Sequence, residues 1–383
     1  MVRAIDSPPA SVNIIPMPSP LRLLFVSTPV GPLGSGLGGG VELTLTNLCQ
    51  GLRERGHHIT VLAPEGSKLG NISIVEIGGQ LQPTAHTQGR STPVIIPGGS
   101  VLGGMWRYAR QQQDQFDLIV NLAYDWLPFY LTEFFSTPVA HFVTMGSLSE
   151  AMDQAIQQVA KQFPRRLGAY TRSQAETFGA ETFGAETFGM ADAFAILSSA
   201  IDLDLYDFCP TPGSALAWLG RISPEKGLED ALEAAEIAQA PLKILGKLED
   251  GEYWRTICDR FPHATDCYLG FLPTRELQQV LRQCRALLMT PRWVEAFGNV
   301  AIEALACGVP VIAYQRGGPA EIVRHGTTGW LVPPDNVPGL VDAIASIDHL
   351  DRHACRHQAE TEYSLDALAL RFEQWFEAII QTV

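Results

Sequence analysis

Apolar runs with no helical period alternate with runs of clear helical period, and this order narrows the fold more than any other feature of the chain. LRLLFVST (21–28) reads as a buried parallel strand. A Gly-rich loop (29–40) follows, and then Val41, Leu45, Leu48 and Leu52 fall at i, i+4, i+7 and i+11, one face of a helix. Gly56 closes that helix, and HITVLAP (58–64) is the next strand. Strand, loop, helix, strand is the opening of a doubly wound domain. Further strands are predicted at 116–126, 137–147 and 195–197, whereas the Gly/Pro/Thr-rich stretch 66–105 yields no element. The second half repeats the alternation. Strands are expected at 215–222, 242–247, 267–271, 286–291 and 309–314, with helical patterns such as 228–239 and 274–284 between them. Residues 364–381 form a closing amphipathic helix with Ser364 as its N-cap.

These patterns predict an α/β protein with two parallel sheets. The boundary falls in the proline-bearing stretch 201–214. The expected organisation is a disordered tail (1–20), a first domain (21–205), a second domain (206–363) and a terminal helix (364–383). A chain of 383 residues is long enough for each half to bury its own core. The first twenty residues carry five prolines and no apolar signal region, so they read as a tail and not a signal peptide.

Charge and cysteine usage exclude some function classes. There are 27 basic against 41 acidic residues, a net charge of −14, which argues against a broad nucleic-acid surface. It leaves room for one small anion held by a few side chains. No apolar stretch approaches the ~18 residues of a membrane helix. The seven cysteines are dispersed, with no C-x-x-C, and read as reduced, mostly buried thiols of a cytoplasmic protein.

Chemistry is most strongly signalled at EAFGNVAIE (295–303). A loop enters a helix here, and a helix N-terminus offers free N–H groups and a positive dipole end suited to a diphosphate. Glu295 sits just before the helix and Glu303 about two turns in. A carboxylate accepting two hydroxyls is a natural reader of a sugar or ribose diol. Spacing alone leaves open two surface glutamates flanking a core helix.

A rival motif is Gly34-Ser35-Gly36-Leu37-Gly38-Gly39, which satisfies G-x-G-x-x-G, with Glu65 closing the second strand. Two prolines and about five residues separate the strand from Gly34, so the tight turn of a dinucleotide site is not available. AETFG occurs three times in tandem, at 175–179, 180–184 and 185–189. Five residues turn a helix by about 500°, so Phe178, Phe183 and Phe188 share no face. The repeat reads as a duplication in a tolerant surface segment.

Taken together, EAFGNVAIEALACGVPVIA, GGPAEIV (317–323), HGTTGWLVPPDN (325–336) and LGRISPEKGLEDALEA (219–234) resemble the retaining two-domain glycosyltransferases of family 4. GGGVELTLTNLCQGLRERGHHITVLAP and SSAIDLDLYDF (198–208) fit the same pattern, so the resemblance spans roughly 21–345. It implies the GT-B fold, two Rossmann-like domains facing across a cleft, with the terminal helix crossing back to the first domain. It implies a nucleotide sugar, a UDP-sugar with glucose as the hexose, as co-substrate, with no metal or other cofactor. Arg221 and Lys226, the R-x₄-K pair, would neutralise the departing diphosphate as fixed cations. Glu295 would bind the transferred sugar and Glu303 the ribose. Backbone N–H groups of Phe297, Gly298 and Asn299 would face the donor, and Gly39 and Gly40 would close on it from the other domain.

One position departs from the family, which commonly carries a histidine after the strand at 138–144. Met145 and Gly146 stand there, and His141 reads as a satisfied strand histidine. No catalytic histidine is therefore assigned. A front-face mechanism, in which the departing phosphate oxygen takes the acceptor proton, needs none. The opening FVSTPVGPLGSGLGGGVELTL is similar to that of the cyanobacterial UDP-glucose:tetrahydrobiopterin glucosyltransferases, which implies a pterin acceptor. Tyr124, Asp125 and Trp126 suit one, an aromatic stacking on the ring and a carboxylate accepting from its N–H groups. A packing cluster with a capping Asp is the competing reading. A glycolipid synthase of the same family and an inactive nucleotide-sugar sensor remain as alternatives. No basic amphipathic helix supports the first, and the retained Glu295 disfavours the second.

Overall fold

The structure is a computed structural model that describes residues 19–35, 39–85, 89–179 and 189–382. Most of the tail, residues 36–38 with Gly36 and Gly38, and AETFG residues 180–188 lie outside the described residues.

The first sheet is parallel, in the order β3-β2-β1-β4-β5-β6-β7. Its strands are β1 (Arg22–Val26), β2 (His58–Pro64), β3 (Ser73–Ile77), β4 (Leu118–Asn121), β5 (Val139–Val143), β6 (Leu167–Ala169) and β7 (Phe194–Ile196). Helices α1 (Gly39–Glu54), α2 (Val101–Gln112), α3 (Trp126–Leu131), α4 (Glu150–Gln162) and α5 (Arg172–Glu176) flank it. The pleat divides β1 between two layers. Leu23 and Phe25 pack with Leu45 and Leu48 of α1, while Leu24 and Val26 pack with Leu102, Met105 and Trp106 of α2.

The second sheet is also parallel, in the order β12-β11-β10-β8-β9. The chain runs β8 (Leu216–Leu219), α6 (Leu228–Ile237), β9 (Leu242–Leu245), α7 (Gly251–Arg260), α8 (Ala264–Cys267), α9 (Thr274–Leu281) and β10 (Leu287–Met289). It continues through α10 (Asn299–Ala306), β11 (Val311–Tyr314), α11 (Gly318–Ile322), β12 (Gly329–Val332), α12 (Val337–Ala345) and α13 (Arg352–Glu362). Strand order reverses between β1 and β4 in the first sheet and between β8 and β10 in the second. Those switch points open crevices beyond the carboxyl ends of the strands.

Some expectations need correction. Residues 267–271 are not a strand: Tyr268 makes one isolated bridge to Ile244, and Gly270 at φ 80° turns the chain away. The stretch 66–105 contains β3 and the start of α2. The first AETFG copy is a surface segment on one side only: Glu176 and Gly179 are exposed, while Ala175 and Phe178 are buried and Phe178 stacks on Phe194 at 5.7 Å.

The last helix, α14 (Leu365–Ile380), is N-capped by Ser364, whose Oγ accepts from Ala367 N at 3.3 Å. It packs on α1 of the first domain. Gly51 makes this possible, since a Cβ there would meet Leu365 O at 2.6 Å. A buried charge cluster fixes the crossing: Glu373 Oε1 accepts from His57 Nε2 and Arg55 Nε, each at 2.7 Å. His57 Nδ1 accepts from Leu21 N at 3.1 Å, which leaves the ring proton on Nε2 for Glu373. Burial works against Glu373 ionising, but Arg55 and His57 outweigh it and hold its pKa low. The Glu373 contribution to stability is then present above the ordinary glutamate range and lost as pH falls through the lowered pKa. Glu373→Ala leaves the Nε2–H of the buried His57 ring without a partner, while Arg55 keeps Asp366. It should cost about 1–3 kcal/mol, read as a fall in Tm at pH 7 that shrinks on acidification.

Candidate active site

The crevice beyond β8 and β10 gathers the residues that the sequence singled out. The loop after β8 delivers Lys226, and the loop after β10 delivers Glu295. Their side chains, 69 positions apart in sequence, form a direct ion pair, Lys226 Nζ to Glu295 Oε2. Gly227 makes the first loop fit. It is left-handed at φ 63°, and a Cβ there would sit 2.2 Å from Thr290 O. Thr290 Oγ1 donates to Gly227 O at 2.7 Å and Arg292 N to Glu225 O at 2.9 Å, so the two loops are stitched together.

Two helices begin here without side-chain caps. Gly227 precedes α6 and Gly298 precedes α10, both in the left-handed region. Ser, Thr, Asp or Asn at these positions would absorb the first N–H groups. At α10 glycine leaves them open, which suits an anion, whereas at α6 the first N–H, that of Leu228, donates to Tyr253 Oη at 3.1 Å. Phe297 is buried, and Asn299 is the first residue of α10. From the first domain, Gly40 in the opening turn of α1 comes so close that a Cβ would lie 3.3 Å from Asn299 Nδ2. Gly39 has φ 55° and open space around it.

Burial disfavours ionised Glu295, yet its pKa is net lowered because Lys226, the indole of Trp293 and the charge of Arg221 outweigh that burial. Trp293 Nε1 donates to Glu295 Oε2 at 3.1 Å. Arg221 itself bonds to Glu225, at 3.0 Å, and Glu249. Glu303 behaves oppositely. Burial pushes its pKa up to about 7, partly offset by the hydroxyl of Tyr206.

The loop that carries Glu295 is also held by contacts from both domains. Gly318 N donates to Glu295 O at 2.7 Å, and a Cβ at Gly318 would strike Phe297 O at 2.1 Å. Thr171 Oγ1 of the first domain donates to Ala296 O at 2.9 Å, and the Tyr170 ring lies 5.7 Å from that of Phe297. Glu321 of α11 accepts from Arg172 N at 3.0 Å, Ser173 N at 2.7 Å and Ser173 Oγ at 2.5 Å.

Comparison with known proteins accords with this geometry. Residues 38–177 match the family model described as Glycosyltransferase Family 4, and residues 213–362 that described as Glycosyl transferases group 1. The structure superposes on sucrose-phosphate synthase from Thermosynechococcus elongatus with a TM-score of 0.74 and 17% identity, covering 95% of this chain and 100% of that one. It superposes on Anabaena HepE, solved in complex with UDP, with a TM-score of 0.70 and 18% identity, covering 94% and 100%. The chain belongs to the GT-B glycosyltransferases of the family 4/group 1 type. A D-inositol 3-phosphate glycosyltransferase of Mycobacterium leprae is 34% identical over 143 residues, 35% of this chain and 33% of the relative. A lipopolysaccharide 1,2-N-acetylglucosaminetransferase of Salmonella typhimurium is 29% identical over 187 residues, 43% and 49%. The matched stretches thus span about half or less of these curated relatives.

In this GT-B chain the acceptor-side candidates are committed to local structure. Asp125 N-caps α3, accepting from Leu127 N at 3.0 Å and from Gln82 Nε2 at 3.1 Å. Trp126 stacks on Tyr130 at 4.6 Å, and Tyr124 Oη accepts from Leu148 N at 3.2 Å. His141 is fully buried between Asn121 and Thr132, and burial, with the charge of Arg166, depresses its pKa to about 3. Among the described residues, no three His, Cys, Asp or Glu side chains group as a metal site, and no helix is long and apolar enough to cross a membrane. Sequence reasoning missed Trp293, Thr171 and Glu321. Only Trp293, two residues before Glu295, carried a local signal.

Glu321 joins the two domains, so removing it should loosen them. Glu321→Ala is expected to raise the ligand-free radius of gyration in small-angle scattering while circular dichroism stays unchanged. An unaltered scattering curve would contradict this role.

Proposed function

We propose that the protein moves a hexose, glucose by resemblance, from a UDP-sugar to a small soluble acceptor with retention of configuration, in the cytoplasm. Tetrahydrobiopterin is the proposed acceptor. The observation that carries the reading is the Lys226–Glu295 pair set beside the uncapped N-terminus of α10. One group there suits sugar hydroxyls, and the others suit a diphosphate.

The chemistry follows from charge. As the bond from the sugar to the diphosphate breaks, negative charge grows on the leaving oxygen. Lys226 and the N–H groups at Phe297, Gly298 and Asn299 would receive it from the places they already hold. Arg221 would join them by exchanging its bonds to Glu225 and Glu249 for phosphate oxygens. Fixed cations take the place of a metal in this reading. Glu295 orients the hexose through its hydroxyls, and Glu303 reads the ribose diol. Gly39 and Gly40 let α1 approach the phosphates. On the acceptor side, the lone pairs of Asp125 left over from Leu127 N and Gln82 Nε2 would take a pterin N–H, with Tyr124 and Trp126 as the wall.

The direct test is transfer with UDP-glucose and tetrahydrobiopterin, followed as UDP release and a one-hexose mass gain on the pterin, with activity retained in EDTA. UDP release without a labelled pterin would discard the acceptor and keep the donor. Glu295→Ala should lower turnover by about 10²-fold or more with UDP affinity nearly unchanged. Equal losses in both would remove Glu295 from the assigned role.

Glu303 supplies a pH signature. Its ionised form accepts from the diol, and its pKa is raised to about 7. UDP affinity should therefore rise as pH passes upward through about 7 and weaken below it. Calorimetric titration from pH 5.5 to 8.5 would show this, and Glu303→Gln should flatten the curve.

A further inference from the structure

Trp293 is the one member of the Lys226–Glu295 cluster that no motif required. It stands in the loop after β10, two residues before Glu295, and is neither exposed nor fully buried. Its indole N–H donates to Glu295 Oε2 at 3.1 Å. The ammonium of Lys226 lies 5.2 Å from the centre of its ring. The same ammonium pairs with the same oxygen, Oε2. One side chain therefore touches both partners of the pair, by two kinds of interaction: a hydrogen bond to the carboxylate and a cation–π contact to the ammonium.

The consequence is directional. A carboxylate has two oxygens and about four acceptor sites. Both donors fall on Oε2, and Oε1 takes neither. With only Lys226 present, the carboxylate could swing about a single flexible four-carbon contact. The indole is rigid and approaches from a second direction, so the two donors together fix the carboxylate plane. Fixing the plane leaves Oε1 in one place relative to the N-terminus of α10.

We propose that Trp293 is a positioning residue, which fixes the Glu295 carboxylate through Oε2 and so dedicates Oε1 to the hydroxyls of the donor sugar. The selectivity part of this rests on the nucleotide-sugar reading above, whereas the pairing itself does not. The charge balance supports it: burial opposes ionisation of Glu295, and the indole N–H is among the groups that keep it ionised. A Phe would keep the flat contact to Lys226 and lose only the donor. Trp293→Phe thus isolates the hydrogen bond.

Two measurements test the two parts separately. The first needs no substrate. The protein has seven tryptophans, and the ¹H–¹⁵N indole cross-peak lost in Trp293→Phe identifies Trp293. In the wild type that peak should shift with pH through the titration of Glu295, and in Glu295→Gln it should not. A peak indifferent to pH across the carboxylate range, in folded protein, would overturn the pairing. The second measurement compares ligands by calorimetry. Trp293→Phe should bind UDP as the wild type does and UDP-glucose about tenfold more weakly, the scale of one hydrogen bond to a charged group. Equal weakening of both ligands would assign Trp293 to the nucleotide and overturn the sugar-directed role. If wild-type protein binds UDP but gains nothing from the glucose, the donor-sugar reading fails, and the indole titration decides the pairing alone.

Discussion

A carboxylate that is largely withdrawn from water stays ionised only if something opposite in charge is built against it, and Glu295 depends on Lys226 for this. That requirement organises the second domain. The two residues come from different loops, so both loops must reach one point from the adjacent strands β8 and β10. The remaining loop contacts serve that meeting. Gly227 folds where no side chain fits, Thr290 holds its carbonyl, and Gly317 and Gly318 let the backbone of 294–297 lie against them. A Cβ at Gly317 would fall 2.5 Å from Glu295 O. The glycines of GGPAEIV are thus explained by close backbone approach, before any ligand is considered.

The same region concentrates positive potential in a chain whose net charge is −14. The N-terminus of α10 is uncapped, that of α6 has only the hydroxyl of Tyr253 on its first N–H, and that of α1 faces α10 at Gly40 and Asn299. Aligned dipole ends of one sign repel, and the protein answers with acidic side chains. Glu42 accepts from Gly34 N in the loop before α1, and Glu321 accepts from the backbone opening α5. Arg221 is held by two glutamates. Electrostatics of a site are therefore not legible from net charge, since a handful of oriented N–H groups decides the local sign.

How much was legible follows from where each signal lies. Long periodic segments were readable because their burial is their pattern. Helix α1 shows Leu45, Leu48 and Leu52 buried on one face, and Ser364 caps α14 as its position suggested. One short strand was not: β6 has three residues, Leu167–Ala169, and no period can be counted over three, whereas the equally short β7 showed itself as an isolated apolar run. CYLGF misled because an apolar run predicts burial, while the left-handed Gly270 ends pairing after one bridge. The meeting of Lys226 and Glu295 was legible because the residues around it cluster in motifs. The bracing from Thr171, Ser173 and Glu321 was not, because hydrogen bonds to backbone leave no mark on residue spacing. The first AETFG copy was misjudged in part, on similar grounds. Repetition suggested tolerance, whereas Phe178 fills the space against Phe194.

Those unmarked contacts also explain how the departure at Met145 and Gly146 is accommodated. The loop after β5 is held by Gln174, whose Nε2 donates to Val143 O at 2.8 Å and Met145 O at 2.9 Å. Gln174 lies in α5, whose first two N–H groups are bound by Glu321. Glu321 belongs to α11, which starts at the Gly318 that holds Glu295 O. The loop where the family places a histidine is therefore tied, through three short contacts, to the loop that carries Glu295. His141 cannot fill the vacant role, because both ring nitrogens are engaged in the core and its burial disfavours a charged ring. What the chain retains at that corner is backbone geometry and not an acid–base group. Its contacts fix the distance between that loop and the loop that carries Glu295.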